Sequence, residues 1–215
     1  MKAIVIGATG ATGKYLVEEL INDNFYEEVI VLVRRASFPA QNKLKEIVVD
    51  FDHLENYKDY ISADVAFSVM GTTLKDAGSK DAQRKVDYDY QYEFAKLCVA
   101  QGVNTFVLLS AIGANPTSSI FYSKIKGELE VAIQQLNFKN LLIFRPASLK
   151  RPNSNRLGEK MMTLLVSSLN SIGLFKKYQV IHVKDLAKAL SKAVKNKVNG
   201  TNFLEVKSII SLIND

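Results

Sequence analysis

At 215 residues, 47% hydrophobic and 23% charged, the chain is long enough to bury one sizeable core and cramped for a second. A single cysteine, Cys98, excludes an intrachain disulfide and a cysteine-built zinc site, and with only His53 and His182 a dedicated metal cage is not expected. The net charge of +6 is uneven: residues 1–100 carry 12 Lys/Arg against 16 Asp/Glu and residues 101–215 carry 16 against 6, yet the basic residues are scattered rather than interleaved with aromatics, so a solvated surface is expected and no specific nucleic-acid partner.

Met1 and Lys2 run straight into the apolar stretch Ala3 to Ile6, with no room for an export signal. Apolar runs such as Val103 to Leu109 stop well short of the roughly 20 residues that cross a bilayer. A cytoplasmic protein without membrane contact is expected, as a monomer or homodimer. In chain order, strand-length apolar runs fall at Lys2 to Ile6, Val29 to Val33, Glu46 to Val49, Val65 to Val69, Thr105 to Leu109, Leu141 to Phe144 and Gln179 to His182, with a weak one at Asn202 to Glu205. Between them, stretches of helical period span Gly13 to Asp23, Lys80 to Gln101, Ser119 to Leu136, Gly158 to Leu169 and Lys184 to Lys195, before a short final helix.

Such alternation predicts an α/β fold, a doubly wound and mostly parallel sheet flanked by helices, in the order 3-2-1-4-5-6 with one added strand. The whole chain, 1–215, reads as one domain. Lys150 to Phe175, opened by Pro152, Asn153 and Asn155, breaks the rhythm and is expected to form a small cap on the substrate side.

Directly after the first strand stands Gly7-Ala8-Thr9-Gly10-Ala11-Thr12-Gly13, followed by a helical pattern. Glycines between a strand and a helix let backbone N–H groups approach a pyrophosphate, whose charge then sits at the helix N-terminus. A side chain at Gly10 would stand in the way. The spacing is G-x-x-G-x-x-G, so the strand–turn–helix context carries as much weight as the glycines. At the end of the second strand, where an acidic residue would hold the ribose hydroxyls of NAD, stand Arg34 and Arg35. Guanidinium groups match a 2′-phosphate, and NADP(H) is the expected cofactor.

Tyr122-Ser123-Lys124-Ile125-Lys126 puts a tyrosine and a lysine four residues apart in a helical stretch, hence on one face. An ammonium about 4 Å from a phenol, at an effective dielectric of about 20, favours the phenolate by about 4 kcal/mol. Ser110, ending the strand Thr105 to Leu109, is available to hold a substrate carbonyl. Tyr and Lys at this spacing recur by chance; their position after the glycine turn and after Ser110-Ala111-Ile112-Gly113 does not.

With these residues, and with Val49-Asp50-Phe51, Gly71-Thr72-Thr73, Val86-Asp87-Tyr88-Asp89-Tyr90 and Phe144-Arg145-Pro146, nearly the whole chain resembles the atypical short-chain dehydrogenase/reductases, above all the Tat-interactive-protein-like NAD(P)-binding oxidoreductases. The resemblance implies Asp50 and Phe51 beside the adenine, Met70, Gly71 and Thr72 along the ribose and nicotinamide, and Pro146 to Ser148 closing over the nicotinamide end. It implies Tyr122 as general acid, Lys126 as its activator and a ribose ligand, and Ser110 as the group that positions the reacting oxygen. Asp87 matches a polar helix position near the site, and His182 is read as structural. The expected activity is NADP(H)-dependent reduction of a small carbonyl compound, or oxidation of the alcohol. The alternative is a non-catalytic NADP(H)-sensing regulator or scaffold, which has no need of an activated phenol.

Overall fold

The inner strands of the central sheet are apolar on both faces, because helices cover the sheet on both sides. In Lys2–Ile6 (β1), Ala3 and Val5 point to one face and Ile4 and Ile6 to the other, all buried. The same division runs through Glu28–Val33 (β2), Val65–Ser68 (β4), Thr105–Leu109 (β5) and Asn140–Arg145 (β6). The structure, a computed structural model, describes residues 1–150, 179–196 and 199–214.

With the partly buried Leu44–Val48 (β3) at one edge, the strands line up as β3-β2-β1-β4-β5-β6, and Gly200–Glu205 (β9) extends the other edge. All six pairings are parallel. Gly13–Asn22 (α1) and the helix Val183–Ala193 cover one face, burying Leu16, Val17 and Leu20 against Leu186, Ala187 and Leu190. Tyr90–Ala100 (α4) and Phe121–Gln134 (α5) cover the other through Phe94, Ala95, Leu129 and Ile133. Each of the valine, leucine, isoleucine and phenylalanine side chains among these contributes roughly 1.5–3 kcal/mol by leaving water.

The expected strand at Gln179 to His182 shrinks to Ile181–His182 (β8). It pairs with Leu149–Lys150 (β7) in a separate two-stranded piece and stays out of the main sheet. The added strand is instead β9, the weak one in sequence: the helix Val183–Ala193 intervenes between β8 and β9, and β9 lands parallel to β6. The proposed cap helix at Gly158 to Leu169 lies outside the described residues. The long helix expected over Lys80 to Gln101 is interrupted: Lys80–Arg84 (α3) passes through a π-helical turn, Lys85–Asp89, before α4 begins. Two short pieces carried no periodic signal, the 3-10 stretch Phe51–Tyr60 and the one-turn helix Leu74–Ala77 (α2).

Candidate active site

The strand order reverses between β1 and β4, and the C-terminal ends of β1, β2, β4 and β5 open into a cleft of about 890 Å³. Gly7 leaves β1 with φ +77, and a Cβ on it would fall 2.6 Å from the Met70 amide nitrogen and from the Val69 carbonyl carbon. Its bareness is what lets the first turn lie against the end of β4. A Cβ on Gly13 would stand 2.0 Å from the Gly7 carbonyl oxygen, so this glycine closes the turn onto the helix. Gly10 differs from both. Its Cβ would meet only the Gly7 oxygen, at 3.1 Å, so the protein's own packing asks least of it. The backbone is set by hydrogen bonds from the Gly10 amide to the Gly7 carbonyl (3.0 Å) and from the Lys14 amide to the Gly10 carbonyl (3.1 Å).

Helix α1 begins at Gly13 with no side-chain cap from Thr12 and no acid in its first turn. Its leading N–H groups therefore carry their partial positive charge uncompensated by the protein's side chains. Gly7, Thr9, Gly10, Ala11 and Thr12 line the cleft beneath them, an arrangement that fits the pyrophosphate of a dinucleotide.

The two arginines after β2 separate: Arg34 lines the cleft and Arg35 does not, since successive residues leaving a strand point to opposite sides. Both are exposed, and Arg34 has no ion pair with a described residue. Asp50 and Phe51 part in the same way. Phe51 is a wall of the cleft, whereas the Asp50 carboxylate turns back to accept the Asp52 amide (2.9 Å) as the cap of the 3-10 stretch. Beyond Phe51 the cleft is lined by Lys85 and Tyr90, which both reach Asp52: the Tyr90 hydroxyl donates to Oδ1 at 2.7 Å and the Lys85 Nζ stands 2.7 Å from the same atom. The Lys85 ammonium, then the phenol, hold the Asp52 carboxyl below its ordinary range.

At the other end lie Ser110, Tyr122 and Lys126. Ser110 follows β5, its amide donating to the Phe144 carbonyl at 2.8 Å; its side chain is buried and Oγ has no partner among the described residues. A buried hydroxyl without a partner costs about 1–3 kcal/mol, which a ligand oxygen would relieve. Tyr122 sits in the first turn of α5, 39% exposed, its hydroxyl making no hydrogen bond with a described residue. Lys126, one turn on, is buried. Its ammonium stands 3.2 Å from Asp87 Oδ1 and donates to the Met70 carbonyl at 3.4 Å. Spacing alone had aimed that ammonium at Tyr122; the partners the fold gives it are the Asp87 carboxylate and the Met70 carbonyl.

Met70, Gly71 and Thr72 line the cleft as a loop after β4, with the Thr72 amide donating to Asp87 Oδ2 at 2.9 Å and Gln83 Nε2 donating to the Thr72 carbonyl at 3.4 Å. Pro146 and Ser148 are off the lining and act through their carbonyls, which accept the Ile112 amide (2.9 Å) and the Ile181 amide (3.0 Å); Leu149 reaches the cleft in their stead.

Two features of α5 escaped the sequence reading. A Cβ on Gly127 would lie 2.3 Å from the Asn115 carbonyl carbon and the Pro116 nitrogen, so this glycine is what admits the loop after Ser110 against the helix. A glycine inside a helical pattern is the signal that could have found it. Glu130, buried one turn beyond Lys126, is gripped by both nitrogens of the Arg145 fork, Nε donating to Oε1 at 3.0 Å and Nη2 to Oε2 at 2.5 Å. This pair ties α5 to the end of β6.

A parallel sheet with a glycine turn at its point of reversal and an uncapped helix above it defines a nucleotide-binding domain of the Rossmann type. The chain belongs to the NAD(P)H-binding family, whose model matches residues 7–197, and within it to the atypical short-chain dehydrogenase/reductases. It is 38% identical to the protein HTATIP2 of Rattus norvegicus over 67% of this chain and 61% of that one, so the match spans less than two thirds of the rat protein. It is 35% identical to the mitochondrial protein FMP52-1 of Scheffersomyces stipitis over 82% of this chain and 76% of that one. Among solved structures, the oxidoreductase ylbE of Lactococcus lactis superposes with a TM-score of 0.68 at 21% identity, covering 100% of this chain and 98% of that chain.

The expected cytoplasmic location is overturned by these relatives, since the yeast proteins carry the word mitochondrial in their names. A mitochondrial address is read from a different kind of segment than an export signal or a membrane-spanning run.

Proposed function

We propose that the chain is an NADP(H)-dependent oxidoreductase that reduces a small carbonyl compound, or oxidises the corresponding alcohol, with Ser110, Tyr122 and Lys126 as its working side chains. The observation that carries this reading is the buried Ser110 Oγ, without a partner among the described residues, on a residue that lines the same cleft as Tyr122 and Lys126, at the end opposite Arg34 and Phe51. When bound, the nucleotide supplies a hydride. Ser110 holds the substrate oxygen through its hydroxyl, Tyr122 gives that oxygen a proton, and Lys126, one helical turn on, supplies the positive charge that favours the phenol's loss of its proton. Leu74, Ile120, Phe121 and Leu149, which line the cleft together with Tyr122, suit an uncharged carbonyl with an apolar flank.

Following NADPH absorbance with a panel of aldehydes, ketones and quinones tests the activity. Oxidation by at least one apolar carbonyl is expected, and a panel without turnover, alongside tight NADPH binding, would favour the sensing role instead.

Arg34 is the residue assigned to the 2′-phosphate. Arg34→Ala is expected to weaken NADPH by about 10- to 100-fold, from the roughly 1.5–3 kcal/mol of a charge-assisted hydrogen bond, and to leave NADH alone. Arg35→Ala should change neither. Calorimetric titration of both nucleotides checks this, and equal losses for NADPH and NADH would remove the assignment.

A further inference from the structure

We propose that Ile120 is a specificity-determining residue of this site, set at the head of α5 to take the aliphatic tail of the carbonyl substrate. The inference deepens the reductase reading and rests on it. Ile120 holds the capping position of α5, with extended backbone, and its side chain gives the helix no hydrogen bond. Such a position ordinarily carries Ser, Thr, Asp or Asn, whose side-chain oxygen accepts one of the leading N–H groups; isoleucine cannot. The two short helices that line the same cleft follow the rule. Thr73 Oγ1 accepts the Asp76 amide at the head of α2 (3.2 Å), and Ser79 Oγ accepts the Ala82 amide at the head of α3 (3.1 Å). Helix α1 breaks it too, and there the uncapped N–H groups fit a pyrophosphate. At α5 a serine stands close by, but the Ser118 hydroxyl accepts the amide of Ile120 itself, at 3.1 Å.

Ile120 gives the core nothing in exchange. It belongs to neither apolar cluster of the sheet and is 65% exposed, the most of any large hydrophobic side chain among the described residues. A forgone cap and an apolar surface left in water are two local losses at one position, a conflict of the kind that marks functional sites. Exposed apolar side chains scattered singly need no cause. Nine large hydrophobic side chains are exposed among the described residues, however, and three of them, Leu74, Ile120 and Tyr122, line this one cleft. The Cα atoms of Ile120 and Tyr122 are at most about 7 Å apart, being two residues distant. The chain leading to Ile120 is also held in place: the Ser118 amide donates to the Asn115 carbonyl (3.0 Å), and the Asn115 amide to the Ser123 carbonyl of α5 (2.9 Å). A fixed aliphatic side chain beside the proton donor selects through contact with the part of the substrate that does not react.

NADPH oxidation by straight-chain aldehydes from propanal to octanal, and by the matching methyl ketones, tests this on the whole chain as wild type, Ile120→Ser and Ile120→Leu. In the wild type kcat/KM is expected to rise up to about fourfold for each methylene that leaves water. The octanal-to-propanal ratio of kcat/KM is expected to fall about tenfold in Ile120→Ser and to stay within about twofold of wild type in Ile120→Leu. Taking the ratio cancels any effect that a new cap has on Tyr122 alike for all substrates. Because serine caps a helix where isoleucine does not, Ile120→Ser is also expected to unfold at a temperature no lower than the wild type, a combination that a merely structural role would not give. An unchanged ratio in Ile120→Ser, a wild type indifferent to chain length, or an Ile120→Ser chain less stable than wild type would each overturn the proposal and leave the reductase reading standing. Inactivity of the wild type on both series, with turnover elsewhere in the wider panel of carbonyls, overturns this inference alone; inactivity on the whole panel overturns the reading beneath it as well.

Discussion

Tyr122→Phe is expected to lose about 10²- to 10⁴-fold in NADPH-dependent turnover, the range that a positioned general acid contributes, while NADPH binding persists. The substitution removes one oxygen and keeps the ring. Because Tyr122 is 39% exposed at the start of α5 and its hydroxyl makes no hydrogen bond with a described residue, losing that oxygen strands no partner among the described residues. The loss should fall on kcat, since the phenol acts on the reacting oxygen and the nucleotide is held elsewhere, by the glycine turn and Arg34. Steady-state kinetics with the best substrate of the panel, beside an NADPH titration, separate the two quantities. Turnover within about threefold of wild type would exclude Tyr122 as the proton donor.

Gly127→Ala should destabilise the chain by about 3 kcal/mol or more, with the opposite sign to the ordinary effect of this change in a helix, where alanine is better by about 1 kcal/mol. The new methyl would stand 2.3 Å from backbone atoms of Asn115 and Pro116, and backbone of a packed loop cannot swing aside as a flexible side chain can. The Asn115 amide also donates to the Ser123 carbonyl of α5 at 2.9 Å, a bond that depends on the same close approach. Pushing the loop outward moves the chain that follows Ser110, so activity should fall even at temperatures where the variant remains folded. Urea unfolding with an unchanged slope would measure the loss. A neutral or stabilised variant would mean that the loop can shift without cost.

Much of the fold was legible because its signals are local. Alternating short apolar runs and helical periods foretold the order of six strands, and Gly7, Gly10 and Gly13 marked the turn between β1 and α1. Boundaries moved by a residue or two, as at β3, and the strand expected at Gln179 to His182 was exchanged for β9, because apolar content does not reveal which of two short runs will find room beside β6. The π turn was invisible for a different reason: a single extra residue within a helix leaves the surrounding periodicity almost intact.

Residue types at short spacing, then, already determined the class of fold, the glycine turn, and the presence of a serine after the fifth strand with a tyrosine and a lysine on the helix that follows. Which neighbour of a pair reaches the cleft, Arg34 and not Arg35, Phe51 and not Asp50, was decided by the path of the chain as it leaves each strand. The partnership of Lys126 with Asp87 was decided only by tertiary structure. Thirty-nine positions of sequence separate the two side chains, and they meet because α5 and the helix carrying the π turn pack side by side on the sheet, where a buried ammonium is stable only with a carboxylate against it.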